Sequence, residues 1–76
     1  MKAEITIHLA EKTRQGHLSV KKVITGAESA LGSKIAGFVY QRIHSENFIK
    51  AQKFDIVIKD HENRVTDEFS YVPTYR

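Results

Sequence analysis

The segment from Lys2 to Ala10 alternates between polar and apolar side chains, and this alternation constrains the fold more than any other feature of the chain. One parity carries only apolar residues, which are Ala3, Ile5, Ile7 and Leu9. A period of two is typical of a β-strand that buries one face. We therefore expect a first strand here, with its apolar face against a core.

A second strand is expected over His17–Ile24, where the apolar side chains share one face and Lys22 is the exception. A bulge near Lys21–Lys22 would restore the register and turn Val23 inward. The same residues would also permit an early helical turn. The sequence Thr25-Gly-Ala-Glu28 matches a capping box, which predicts a helix capped at Thr25 and so favours the strand.

One long helix is expected after this cap, because apolar residues recur at steps of three and four. The stripe consists of Ala27, Leu31, Ile35, Phe38 and Val39. Apolar residues at this spacing form the buried face of an amphipathic helix. Asn closes helices readily, so the pattern predicts a helix over 25–47 that ends near Ser45–Asn47.

Two further alternating segments, Lys53–Asp60 and Arg64–Val72, predict a second hairpin joined by a turn at Asp60–Asn63. Pro73 cannot donate to a strand ladder and should end the last strand. The sequence predicts an α+β fold of order ββαββ, with one long helix packed on an antiparallel sheet. We expect a single domain over 1–76, with a first hairpin (1–24), the helix (25–47), a second hairpin (53–73) and a loose tail (74–76).

Composition limits the setting in which the protein acts. The chain has 76 residues, a net charge of +3 and no cysteine. Small secreted domains commonly depend on disulfides, so the absence of cysteine favours a reducing compartment, and we expect a cytoplasmic protein. No apolar run resembles a signal peptide or approaches the roughly 20 residues of a membrane span.

Residue patterns that carry chemistry are sparse. The four histidines, His8, His17, His44 and His61, have no metal-ligand spacing, so we expect no metal site. Asp67 is the one acid on the apolar parity of its strand, which a strand end or bulge would explain. No nucleophile elbow, P-loop or dinucleotide-binding glycine pattern occurs. We expect neither an enzyme nor a cofactor.

A surface for a protein partner is predicted on the helix. Between Val23 and Gln41 only Glu28 and Lys34 are charged, although 28% of the chain is charged. The side of the helix opposite its apolar stripe carries small or neutral residues, and we call this set the helix back: Ser29, Ser33, Ala36, Gly37, Tyr40 and His44. A solvated helix face is normally rich in Lys and Glu. We therefore expect protein–protein contacts here, with a second copy of the chain as the favoured partner and a homodimer as the result.

Two alternatives remain open at this stage. A basic cluster of Lys12, Arg14, Lys21 and Lys22 lies in and beside the first hairpin, and it would suit a weak nucleic-acid-binding protein. The outer sheet face is mixed in charge and offers no aromatic residue for stacking, which weighs against this reading. The second alternative is a small-ligand binder or enzyme whose pocket forms at a dimer interface.

Overall fold

The structure is a computed structural model that describes residues 1–45 and 48–75. These residues form four antiparallel strands and one helix. The elements are β1 (Lys2–Leu9), β2 (Ser19–Thr25), α1 (Glu28–His44), β3 (Ala51–Lys59) and β4 (Val65–Tyr71). The strands form one sheet of order β2-β1-β3-β4. The predicted α+β fold of order ββαββ is therefore confirmed, and the two hairpins meet where β1 pairs with β3.

The core lies between α1 and the two central strands. Its buried residues are Ala3, Ile5, Ile7 and Leu9 of β1, Leu31 and Ile35 of α1, and Ala51, Phe54 and Ile56 of β3. β1 has a hydrogen-bonded neighbour on each side, so every apolar residue of its inner parity is covered. This position explains why its alternation is the strictest in the sequence.

The predicted capping box at Thr25 is wrong. Thr25 is the last residue of β2, where it pairs with Lys2, and α1 begins at Glu28 with Ala27 as its N-cap. The ladder holds Thr25 in the sheet, and its carbonyl oxygen accepts a hydrogen bond from Nζ of Lys34 (3.0 Å). Strand pairing has thus outweighed the local capping signal. The helix ends at His44, and residues 46–47, where its predicted end falls, lie outside the described residues.

β2 is a regular strand without the predicted bulge. Its register with β1 runs unbroken from the Lys2–Thr25 pair to the His8–Ser19 pair. Val23 consequently stays on the outer face and is 53% exposed. Lys22 lies opposite Ile5, on the side of the sheet that carries the helix. A bulge is unnecessary because β2 is an edge strand, where a long charged side chain reaches water.

The second hairpin contains an irregularity that the alternation did not predict. The β3–β4 register shifts between Ile58, which pairs with Asp67, and Lys59, which pairs with Val65. Val65 therefore lies across from Lys59 and does not continue the inner row that contains Phe69. Asp67 is exposed beside this shift, in agreement with a bulge that lets its carboxylate reach solvent.

The segment after β4 is anchored, so the prediction of a loose tail is wrong at Tyr75. Pro73 is buried, and the hydroxyl of Tyr75 donates a hydrogen bond to the carbonyl oxygen of Ala51 (2.9 Å). The ammonium of Lys50 lies 5.0 Å from the centroid of the Tyr75 ring. Arg76 lies outside the described residues.

Candidate functional site

The single helix covers only part of the sheet. α1 packs over β1 and β2, whereas every residue of β4 is exposed. A helix with its side chains is about 10 Å across, and four strands spaced by about 4.8 Å are wider than this. The helix therefore leaves a groove along each of its flanks.

The α1–β4 groove lies between the helix and the exposed edge strand, and it encloses about 540 Å³. Its principal apolar walls are Val39, Tyr40 and Ile43 of the helix, and Phe69, Tyr71 and Pro73 of the second hairpin. Among the described residues no Lys, Arg, Asp or Glu lines it. The groove is therefore an apolar surface with a few polar atoms at its margin.

Aromatic rings form the exposed part of this groove. Phe69 is 42% exposed, Tyr71 is 46% exposed and Tyr40 is 64% exposed. Phe69 pairs with the buried Ile56, so it continues a row of core side chains past the limit of the helix. The Tyr40 and His44 rings lie 4.3 Å apart, centroid to centroid. These rings are side chains of the kind found in a core, but no described part of the chain covers them.

The six residues of the helix back are all exposed, and the structure divides them. Ala36, Tyr40 and His44 line the α1–β4 groove. Ser29, Ser33 and Gly37 are not among its lining residues. A Cβ atom added to Gly37 would meet nothing within 4 Å, so no contact within the chain requires a glycine there.

The β2–α1 groove lies on the other flank of the helix and encloses about 790 Å³. Ile7, Leu9, Val20, Phe38 and Ile49 form its apolar floor. Its rim carries Arg14 from the β1–β2 loop, Lys22 from β2, and Arg42 from the helix. Lys21 also borders the groove, but it pairs with Thr6 and its side chain lies on the outer face of the sheet. Of the four predicted basic residues, Arg14 and Lys22 thus come together, whereas Lys12 does not line the groove.

Arg42 and Phe48 belong to the β2–α1 groove and were not predicted as site residues. The Arg42 guanidinium lies 4.9 Å from the centroid of the Phe48 ring, and its Nη2 donates to the carbonyl oxygen of Ile49 (2.6 Å). Burial lowers the pKa of Arg42, although an arginine stays charged at neutral pH. The predicted basic cluster indicated this groove through Arg14 and Lys22, but it did not include Arg42 or Phe48, which only the folded chain brings beside them.

A polar network covers the outer face of the sheet. Asp55 accepts a hydrogen bond from Oγ of Ser70 (2.6 Å), and its other oxygen lies 2.6 Å from Nε2 of His8. The Ser70 hydroxyl, followed by His8, lowers the pKa of Asp55 to about 2. Here the carboxylate contacts the serine, whereas a nucleophilic serine needs a base such as histidine beside its hydroxyl. The arrangement is one of cross-strand pairing and does not have the geometry of a hydrolytic triad.

In the turn before β4, the carboxylate of Asp60 is likewise held by hydrogen bonds within the turn. Oδ1 of Asp60 accepts hydrogen bonds from the backbone amides of Glu62 (2.9 Å) and Arg64 (3.0 Å). The Arg64 amide is the main reason that the pKa of Asp60 is lowered. Asn63 adopts a left-handed φ of 67°, which asparagine tolerates well.

Comparison of the chain with protein-family models, with curated proteins and with solved structures finds no match. Within residues 1–45 and 48–75 no group of three or more His, Asp or Glu side chains is placed to hold a metal ion. Within the same residues, no helix is both long enough and apolar enough to cross a membrane.

Proposed function

We propose that this protein is a non-enzymatic binding protein that acts through protein–protein contacts, and that its first partner is a second copy of the same chain. The observation that carries this proposal is the exposed aromatic row of β4 beside the α1–β4 groove. Phe69 and Tyr71 extend the core but are 42% and 46% exposed. A chain of this size has a small core and gains stability when a partner covers such a surface.

The two edges of the sheet support β4 as the contacting strand. β2 carries Lys21 and Lys22, and lysines on an edge strand discourage pairing with another chain. The last part of β4, Phe69–Tyr71, has no charged side chain, and its outward backbone groups have no further strand beside them. Two copies related by a twofold axis would join their β4 strands and place the aromatic row of each against the groove of the other.

Solution mass measured by light scattering after size exclusion tests the proposal. We expect twice the 8.7 kDa of one chain, about 17 kDa, at two protein concentrations tenfold apart. Phe69→Lys should return the mass to 8.7 kDa, because it places a charge in the centre of the apolar surface. Val23→Lys is the matched control, since Val23 is an exposed valine on the outer face of the other edge strand.

The outcomes are distinct. A wild-type mass of 8.7 kDa at both concentrations would refute self-association, and a Phe69→Lys dimer would place the contact elsewhere. Circular dichroism should show the same fold for both lysine variants. Ser33→Glu on the helix back then maps the interface, because we expect it to weaken association only if the contact extends beyond the groove.

We propose a cytoplasmic location for the protein, because its 76 residues include no cysteine and small secreted domains commonly depend on disulfides. A non-covalent interface is consistent with such a setting. The centre of the proposed interface consists of apolar and aromatic side chains, and aromatic residues are enriched at the centre of stable protein–protein interfaces.

A further inference from the structure

The β2–α1 groove gathers positive charge from three separate parts of the chain. Arg14 lies in the β1–β2 loop, Lys22 lies on the helix side of β2, and Arg42 lies near the end of the helix. No Asp or Glu within the described residues lines the groove. Ion pairs described elsewhere in the chain use other cations, such as Lys59 with Glu4 (2.9 Å). The groove therefore attracts an anion of extended shape.

An exposed aromatic ring lies among these cations. Phe48 is 61% exposed, and the guanidinium of Arg42 lies 4.9 Å from its ring centroid. The floor beside it is apolar, with Phe38 and Ile49 half-buried. An arginine plane and a phenylalanine ring both stack on nucleobases, and this combination of stacking and charge is how single-stranded nucleic acids are held.

We propose that the β2–α1 groove binds a single-stranded nucleic acid. Arg14 and Lys22 contact phosphates along the rim, and a base stacks on the Phe48–Arg42 pair. A duplex fits less well, because its bases are already stacked and would leave Phe48 without a partner. The site lies on the opposite flank of the helix from the α1–β4 groove, so it does not depend on self-association.

The test compares two labelled strands by fluorescence anisotropy. One is an oligothymidylate of about twelve nucleotides, and the other is an abasic strand of equal length, which keeps the phosphates and lacks the bases. We expect the oligothymidylate to bind more tightly. Its affinity should fall between 50 mM and 200 mM salt with a slope of about −1.5 to −2 on logarithmic axes, as two or three phosphate contacts would give.

Two variants separate charge from stacking. Phe48→Ala should weaken oligothymidylate binding by about five- to 150-fold, the range of one lost base stack, and leave the abasic strand unaffected. Arg14→Glu with Lys22→Glu should abolish binding of both strands. The charge-matched control is Lys2→Glu with Lys53→Glu on the outer sheet face, which should keep most of the wild-type affinity for both strands.

Three results would overturn the proposal. Equal binding of the two strands would remove the role of stacking. Polyglutamate that displaces the oligonucleotide at an equal charge concentration would identify the groove as a site for acidic peptides. Equal loss of affinity in the two double charge-reversal variants would reduce the effect to net charge. The Phe69→Lys variant should bind nucleic acid as the wild type does, because Phe69 lies outside the β2–α1 groove. A failure of nucleic-acid binding can therefore be distinguished from a failure of self-association.

Discussion

At the scale of single residues, Asp55 shows how the outer face of the sheet contributes to stability. The Ser70 hydroxyl and His8 lower its pKa from 3.8 to about 2. The folded state therefore favours the ionised carboxylate more than the unfolded chain does. This contribution is fully present above pH 3.8 and is lost as the pH falls through about 2.

Asp55→Asn tests this linkage, because the amide cannot take up a proton in this range. We expect the variant to be less stable than the wild type near about pH 5 and the difference to shrink as the pH approaches 2. Urea denaturation followed by circular dichroism measures both. Asp67→Asn on the neighbouring strand is the control for loss of one carboxylate. A constant difference between Asp55→Asn and wild type across this range would contradict the interpretation.

At the scale of elements, the helix begins without a side-chain cap. Ala27 is the N-cap residue, with extended φ and ψ of −67° and 151°, and it makes no side-chain capping hydrogen bond. Serine at such a position accepts a hydrogen bond from an amide of the first turn. Here that amide is the one of Ser29, because the Ala30 amide already donates to the carbonyl oxygen of Ala27 (3.0 Å). The backbone is already in the conformation that a capping residue requires.

We expect Ala27→Ser to stabilise the fold by about 1 kcal/mol, because it satisfies one of the unpaired amides. For a domain of this size that gain raises Tm by about 4–8 °C. Thermal unfolding measures the shift, and Ala27→Leu, which offers no acceptor, should not reproduce it. A serine variant with an unchanged Tm would show that water already satisfies these amides.

The elements that the sequence predicts well are those whose faces are buried. The inner parity of β1 and the Leu31 and Ile35 stripe of α1 both form the core, because burial imposes a period on the sequence. Thr25 was misplaced because a local capping signal competes with a ladder that only tertiary pairing reveals. Strand order was likewise unpredictable, since pairing of β1 with β3 depends on contacts about 50 residues apart.

The candidate sites were predicted less completely for a physical reason. Ala36, Tyr40 and His44 were found through the missing charge on one helix face, but their partners Phe69 and Tyr71 had an alternation typical of core residues. Only the position of β4 at an edge, beyond the helix, makes that row a surface. Sequence periodicity reports which side of a strand is apolar and does not report whether anything covers it.

At the scale of the whole molecule, one helix on a four-stranded sheet creates two grooves of opposite character. The flank toward β2 is basic, and the flank toward β4 is apolar. The two edge strands differ in the same way, with lysines on β2 and an uncharged Phe69–Tyr71 on β4. A dimer joined through β4 would leave both β2–α1 grooves open, so self-association and nucleic-acid binding are compatible in one molecule.

Self-association through β4 predicts that stability depends on protein concentration. When folding and dimerisation are linked, mass action raises the apparent Tm as the concentration increases, whereas the Tm of a monomer stays constant. We expect the wild type to unfold at a higher temperature at high concentration, and Phe69→Lys to lose this dependence, because its unfolding no longer includes dissociation. Differential scanning fluorimetry over a hundredfold range of concentration measures both. Val23→Lys should behave as the wild type does, and a wild-type Tm that does not change over this range would argue against any dimer that contributes to stability.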